Sequence, residues 1–245
     1  MPTALIASVY GTIAAAGGIG LAAGGYAYAS RWPTSQIFGR TLIAPRRPGE
    51  LALTFDDGPN PVWTPRLLDM LAEHNVNATF FMLGKAAKAE RALARRVAEA
   101  GHLIGNHSWS HPDLARAASP KMLDELTRTS DILANIAGKP VRYFRPPYGS
   151  RSRYVLKLAR QLGLIPVTWN AMTDDWKEPS ADKIAQTLIR KIDSNQQRGL
   201  ATNIVLHDGS HHNPGADRGP SVVAVEKLLE RYDRTHTFVT LEAWQ

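Results

Sequence analysis

Nine residues constrain this chain more than any other stretch: Leu51-Ala-Leu-Thr-Phe-Asp-Asp-Gly-Pro59. Leu51, Leu53 and Phe55 alternate with small or polar residues, the pattern of a strand that enters a core. The run then breaks at two adjacent carboxylates and a Gly-Pro turn. In β/α folds chemistry gathers at the carboxyl ends of strands, where Asp56 and Asp57 would sit. Neighbouring strand residues point to opposite faces, but a strand breaking into a turn can aim both carboxylates at one site. Two carboxylates this close repel unless a cation holds them, so a metal ion or an arginine is expected beside them. Taken alone, the stretch reads equally well as a turn-forming Asp-Asp-Gly, and the rest of the chain decides.

From Leu51 onward strand and helix patterns alternate. Thr64-Pro65 reads as a helix start, with Thr64 as N-cap and Leu67, Leu68 and Leu71 as the buried stripe. Strands are expected over Ala78–Leu83, His102–Asn106, Tyr143–Arg145, Leu164–Asn170, Asn203–Leu206 and Phe238–Leu241. Helices are expected over Ala86–Ala100, from Ser119-Pro120 to about Gly138, over Ser152–Leu162, from Ser180 to about Ile192 and from Ser221 to about Arg231. Strands separated by helices of this length form a parallel sheet, and about seven such units imply a barrel. A chain of 245 residues is long enough for one domain of that size.

Four more strand ends carry polar clusters. His107-Ser-Trp-Ser-His111 places two imidazoles at i and i+4, on one side of a helical turn. With the carboxylate pair it supplies a His-His-Asp set, which leaves room for water on a catalytic divalent ion. One carboxylate can bind the ion and the other take a proton. Arg145-Pro-Pro-Tyr-Gly149 fixes a backbone that can aim the Tyr148 N–H, and Arg145 can keep a carboxylate ionised. In Thr173-Asp-Asp-Trp176, Asp174 or Asp175 could hold Arg145, and Trp176 could wall a groove. In Ile204-Val-Leu-His-Asp208, His207 emerges from an apolar strand as a candidate general acid. There is no cysteine, so any metal is held by His and carboxylates.

The five motifs together closely resemble the polysaccharide deacetylases of carbohydrate esterase family 4, the NodB-homology domain. The resemblance runs from Leu51 to about Leu241. It implies an α/β fold, a distorted (β/α)7 barrel, and metal-dependent removal of N-acetyl groups from amino sugars in chitin-like or peptidoglycan chains. Carried over by position, it makes Asp57, His107 and His111 the ligands of one divalent ion, zinc foremost with cobalt, nickel or manganese as alternatives. It makes Asp56 the general base and His207 the general acid, with Arg145 and Asp175 orienting them. The Tyr148 N–H would help hold the oxyanion, and Trp176 and Leu206 would line the acetyl pocket. Met172 departs from the acidic residue that some members carry there. His211 and His212 lie outside the family pattern and are expected to be solvated. An O-acetyl esterase, a non-sugar amidohydrolase on the same barrel and an inactive glycan-binding protein are the rival readings.

The expected domain spans residues 51–245, after a linker over 31–50 rich in proline and arginine. Residues 1–30 contain no charged side chain and are long enough to span a bilayer. Ala27-Tyr-Ala29 also resembles a signal-peptidase site. A signal peptide or membrane anchor is therefore expected, with the protein membrane-anchored or secreted. The arginines that follow the segment would, by the positive-inside rule, keep the downstream part in the cytoplasm, so its orientation stays open. The net charge is +7, but the basic residues are scattered and not interleaved with aromatics. That disfavours nucleic acid as a partner and is compatible with an anionic membrane or wall polymer.

Overall fold

The computed structural model describes residues 24–245. Most of the expected signal or anchor segment lies outside the described residues, apart from a helical stretch over 24–31. Among the described residues, no helix is long and apolar enough to cross a membrane.

Every strand pair is parallel. The strands are β1 (Glu50–Asp56), β2 (Thr79–Met82), β3 (Leu103–Asn106), β4 (Tyr143–Phe144), β5 (Ile165–Pro166), β6 (Ala171–Met172), β7 (Thr202–His207) and β8 (Thr237–Phe238). Their order is β5-β4-β3-β2-β1-β7-β6, with β8 beside the start of β1. The sheet curls into the distorted, open barrel that the alternating pattern implied. The helices are α1 (Trp63–Glu73), α2 (Gly84–Ala89), α3 (Arg91–Glu99), α4 (Ser119–Ala137), α5 (Arg153–Gln161), α6 (Ala181–Gln197) and α7 (Gly219–Tyr232).

Alternation along β1 builds two layers. Leu51, Leu53 and Phe55 pack outward, in the main core with Leu67 and Leu71 of α1 and Leu228 of α7. Ala52 belongs to a separate inner cluster with Phe81, Tyr143, Leu241 and Trp244. The register of β1 with β7 pairs Thr54 with Val205 and Asp56 with His207. Paired residues of parallel strands point the same way, so the inner face rises from apolar at its base to Asp56 and His207 at its carboxyl end.

Several local expectations are corrected. Helix α1 begins at Trp63, so Thr64 is not its cap. Instead the Asn60 side-chain oxygen accepts the Val62 and Trp63 N–H groups, while the Thr64 hydroxyl donates to Asp208. The single helix expected over Ala86–Ala100 is two, broken at Glu90. The N–H groups of Gly84 and Lys85 donate to the carbonyls of Ser108 and Trp109, which ties α2 to the histidine loop and leaves α3 its own direction. Gly84 has no space for a side chain, because a Cβ there would lie 2.5 Å from the Trp109 ring. The strand expected over Leu164–Asn170 shortens to β5, beyond which Val167 bridges Leu42. Leu42 donates to the Pro166 carbonyl and accepts from Thr168.

Residues 31–50, expected as a linker, lie against the barrel. Ala201 N–H donates to the Pro45 carbonyl, and the Asn203 amide donates to the Ile43 carbonyl. The guanidinium of Arg151, only 1% exposed, donates to the carbonyls of Ser30, Trp32, Ser35 and Gly149. Four carbonyls are what a buried guanidinium needs in place of water. This clamp joins the N-terminal segment to the turn that carries Tyr148.

Candidate active site

The carboxyl ends of β1, β3, β4, β6 and β7 surround a cavity of about 630 Å³. Its lining includes Asp56, Asp57, His107, His111, Tyr148, Met172, Trp176, His207 and His211. Nearly all the residues singled out from the five motifs thus converge. They do so through an unusual concentration of left-handed backbone: Asp57, Ser108, His111 and Tyr148 have φ values of 70°, 68°, 64° and 58°. Such conformations are costly outside glycine and persist where surrounding contacts enforce them.

At Asp57 the left-handed turn swings the second carboxylate to the same side as Asp56, as the breaking strand led us to expect. Its Oδ1 lies 3.5 Å from His107 Nε2 and 3.3 Å from His111 Nε2. The two histidines occupy a loop rather than the expected helical turn. Three side chains shape that loop. The Asn106 side chain accepts from Ser108 N–H, and Ser108 Oγ accepts from His111 N–H. Glu125 of α4, 4% exposed, accepts from the Trp109 and Ser110 N–H groups and from the Ser110 hydroxyl. Nothing in the sequence pointed to Glu125, since an acid on a helix usually faces solvent.

Asp57, His107 and His111 form the one His/carboxylate group among the described residues that could hold a metal ion, each with a ligand atom within 4.8 Å of the others. The donor set fits a cation. His107 Nδ1 donates to the Arg145 carbonyl at 2.8 Å, which leaves Nε2 as a lone pair facing Asp57. Burial lowers the His111 pKa to about 3, against the pull of Asp57, so its imidazole is neutral as ligation requires. Asp57 Oδ1 is buried without a hydrogen-bond partner. Burial pushes the Asp57 pKa up, but the His211 hydrogen bond and the His111 and His107 rings outweigh that and keep it ionised.

Asp56 is held differently. Arg145, fully buried, donates through Nη1 to Asp56 Oδ1 at 2.8 Å and to Thr54 Oγ1 at 2.7 Å, and through Nη2 to Asn203 at 3.2 Å. Its guanidinium also lies over the Phe81 ring at 4.2 Å. Asp56 therefore has a fixed counter-charge and keeps its other oxygen, 3.7 Å from His107 Nε2, toward the metal site.

The expectation that Asp174 or Asp175 holds Arg145 is not met. Asp175 serves His207 instead: Oδ1 accepts from His207 Nδ1 and Oδ2 from the His207 N–H, both at 2.9 Å. The Ser221 hydroxyl donates to the same Oδ2 at 2.8 Å. Burial pulls the His207 pKa down, but the Asp175 charge and hydrogen bond, helped by Asp57 and Asp56, raise it to about 9. His207 is therefore an imidazolium at neutral pH with Nε2–H free to donate. Trp176 packs against this ring in a T-shaped arrangement, with centroids 4.9 Å apart.

One assigned residue faces elsewhere. Leu206 sits in the outer core against the helices and does not line the cavity; Val205 does. Period-2 alternation requires this: with His207 inward, Leu206 points outward and Val205 inward. Asp208 was noticed only as part of its motif. It is 1% exposed, and burial raises its pKa to about 7 against the Thr64 hydroxyl's hydrogen bond. Its carboxylate occupies the space beside Gly58, where a Cβ would come within 2.2 Å of Oδ2. The expectation for His211 fails too. Its ring stacks on His111 with centroids 4.0 Å apart, and Nδ1 lies 3.4 Å from Asp57 Oδ2. Only His212 fits the solvated description, with its ring over that of His211.

Comparison with known proteins bears on this geometry. A polysaccharide deacetylase family profile matches residues 44–167. A peptidoglycan-N-acetylglucosamine deacetylase of Bacillus cereus is 38% identical over 80% of this chain and 68% of its own length. A chitooligosaccharide deacetylase of Azorhizobium caulinodans is 35% identical over 71% of this chain and 80% of its own. Among solved structures, a peptidoglycan N-acetylglucosamine deacetylase superposes with a TM-score of 0.73 at 35% identity, covering 82% of this chain and 90% of that one. A CE4 family pseudoenzyme from Bacillus anthracis also reaches 0.73, at 25% identity over 83% of this chain and 68% of that one. The backbone is thus common to active and inactive relatives, so activity has to be argued from side chains. Profile, relatives and fold agree, and the chain belongs to the polysaccharide deacetylase family.

Proposed function

We infer that this protein hydrolyses the N-acetyl groups of amino-sugar polysaccharides, of the peptidoglycan or chitin-oligosaccharide kind, and releases acetate. One observation carries the reading: an arginine-held carboxylate and a carboxylate-held imidazolium are register partners on β1 and β7, beside a buried Asp-His-His trio. A divalent ion held by Asp57, His107 and His111 would polarise the acetyl carbonyl and acidify a water. We propose zinc, since two imidazoles and one carboxylate with open positions form a zinc-type catalytic set.

The protein's own groups complete the chemistry. Asp56, held by its ion pair with Arg145, takes the proton from the attacking water. The Tyr148 N–H, set by a left-handed residue after two prolines, is offered to the developing oxyanion. His207 then protonates the departing nitrogen through Nε2, while Asp175 holds Nδ1. An amide nitrogen needs that proton far more than an alkoxide does, so a His207 imidazolium at neutral pH favours amide over acetyl-ester substrates. Val205, Trp176 and Met172 give the cavity the apolar walls that an acetyl methyl group needs.

The test is acetate release after chelation and zinc replacement, on peptidoglycan, N-acetylchitooligosaccharide and acetylated xylan side by side. Release from either amino-sugar substrate and little from xylan is expected. Release from xylan alone would make the protein an esterase, and release from none would leave the inactive glycan-binding reading.

We also propose that the protein is exported or membrane-attached through residues 1–30, whose lack of charge supports this. Fractionation of cells expressing the full chain is expected to place it in the membrane or outside the cell. A cytoplasmic protein with an intact N-terminus would refute the assignment.

A further inference from the structure

The loop after β7 brings His211 to the metal-binding carboxylate, although no family motif includes it. Three contacts define its position. Nδ1 lies 3.4 Å from Asp57 Oδ2, the oxygen that does not face His107 and His111. Nε2 lies 3.3 Å from the Tyr148 hydroxyl. The ring stacks on His111, with centroids 4.0 Å apart and planes 18° from parallel. We propose that His211 is a positioning residue of the metal site, which orients the Asp57 carboxylate toward the ion by a hydrogen bond to its outer oxygen.

The hydrogen-bond directions are consistent along the chain. A carboxylate only accepts, so Nδ1 carries the proton that faces Asp57, and Nε2 accepts from the Tyr148 hydroxyl. The carboxylate would thereby be held from both sides, by His211 at Oδ2 and, at Oδ1, by an ion bound in the trio. Asp57 is only 6% exposed, and the His211 ring nitrogen is the side-chain hydrogen-bond partner of its outer oxygen. Outer partners of this kind fix a ligand's orientation, and their loss weakens metal binding by about 10–100-fold. The stack on His111 restrains a second ligand of the same trio.

The inference rests on the metal site proposed above, so the experiment separates the two. Zinc affinity of the full-length apo-protein is measured by chelator competition for wild type, Asp57→Ala, His211→Phe and His211→Asn, with circular dichroism as a check on folding. His211→Phe keeps a stacking ring and removes the donor. His211→Asn keeps an amide N–H near the Nδ1 position. Zinc affinity is expected to fall about 10–100-fold in His211→Phe and to stay within a few-fold of wild type in His211→Asn. If His211→Phe binds zinc as wild type does while Asp57→Ala does not, the positioning role is wrong and the trio stands. If His211→Asn loses as much as His211→Phe, the Nδ1 donor is not what matters and the proposal is overturned. If wild type binds no zinc, both readings fall.

Discussion

Asp57→Ala, His107→Ala and His111→Ala are each expected to lose zinc and turnover together, whereas Asp56→Asn is expected to lose turnover and keep zinc. The contrast follows from where the two adjacent carboxylates point. Asp57 directs Oδ1 at both imidazoles, and that oxygen has no other partner. Asp56 spends Oδ1 on Arg145 and presents only Oδ2 to the cavity, 3.7 Å from His107. Removing one ligand of three takes away a large share of the affinity and leaves two donors facing each other. Removing the charge of Asp56 leaves all three ligands and abolishes only proton acceptance, an effect of about 10²–10⁴-fold on kcat. Asparagine retains the shape and the acceptor for Arg145, so the fold is expected to survive. Metal content by atomic absorption, read with acetate release, checks both halves. Zinc loss in Asp56→Asn, or full zinc in all three ligand variants, would exchange or void the roles.

The second large effect concerns His207. His207→Ala is expected to slow an N-acetyl substrate by about 10²–10⁴-fold, and to slow an activated acetyl ester far less, because that leaving group departs without a proton. Equal losses on the two substrates would reduce His207 to a wall of the pocket. The pH profile gives an independent readout. With the His207 pKa raised to about 9 by Asp175, kcat/KM on the amide is expected to hold through neutrality and fall as pH rises through about 9. In Asp175→Asn the charge that raises the pKa is gone while burial still lowers it, so the basic limb is expected to move down toward or below the ordinary histidine range. The same shift has a stability consequence of fixed sign. The imidazolium–carboxylate pair stabilises the folded state fully below the unfolded histidine pKa, and that contribution disappears as pH passes about 9. Wild type is therefore expected to lose stability over this window and His207→Ala to lack that transition. Thermal unfolding across the range checks it.

Much of this site could be read in one dimension because its residues are tied to strand ends. An apolar alternation that stops at two carboxylates is enough to mark Asp56 and Asp57, and His107, Arg145, Asp175 and His207 stand in four further motifs of the same kind. Strand and helix alternation was enough for the parallel sheet. The sequence was least informative where the third dimension assigns partners. Asp175 holds His207 rather than Arg145, because pairing depends on which strands adjoin, and β6 lies beside β7.

Leu206 illustrates a local rule that the motif obscured: once His207 is inward, alternation turns Leu206 to the helices and brings Val205 to the cavity. The break between α2 and α3 at Glu90 had no sequence mark, and the hydrogen bonds from Gly84 and Lys85 that anchor the start of α2 join it to a loop distant in the chain. Glu125 and His211 carried no signal either, one a helix acid and the other a loop histidine; burial against the histidine loop distinguishes Glu125, and contacts with His111 and Asp57 distinguish His211. The sequence by itself determined which side chains end each strand, and hence the chemical inventory of the site. Only the tertiary structure decided which of them touch, because contacts between residues distant in the chain depend on sheet order, register and the left-handed turns at Asp57, His111 and Tyr148.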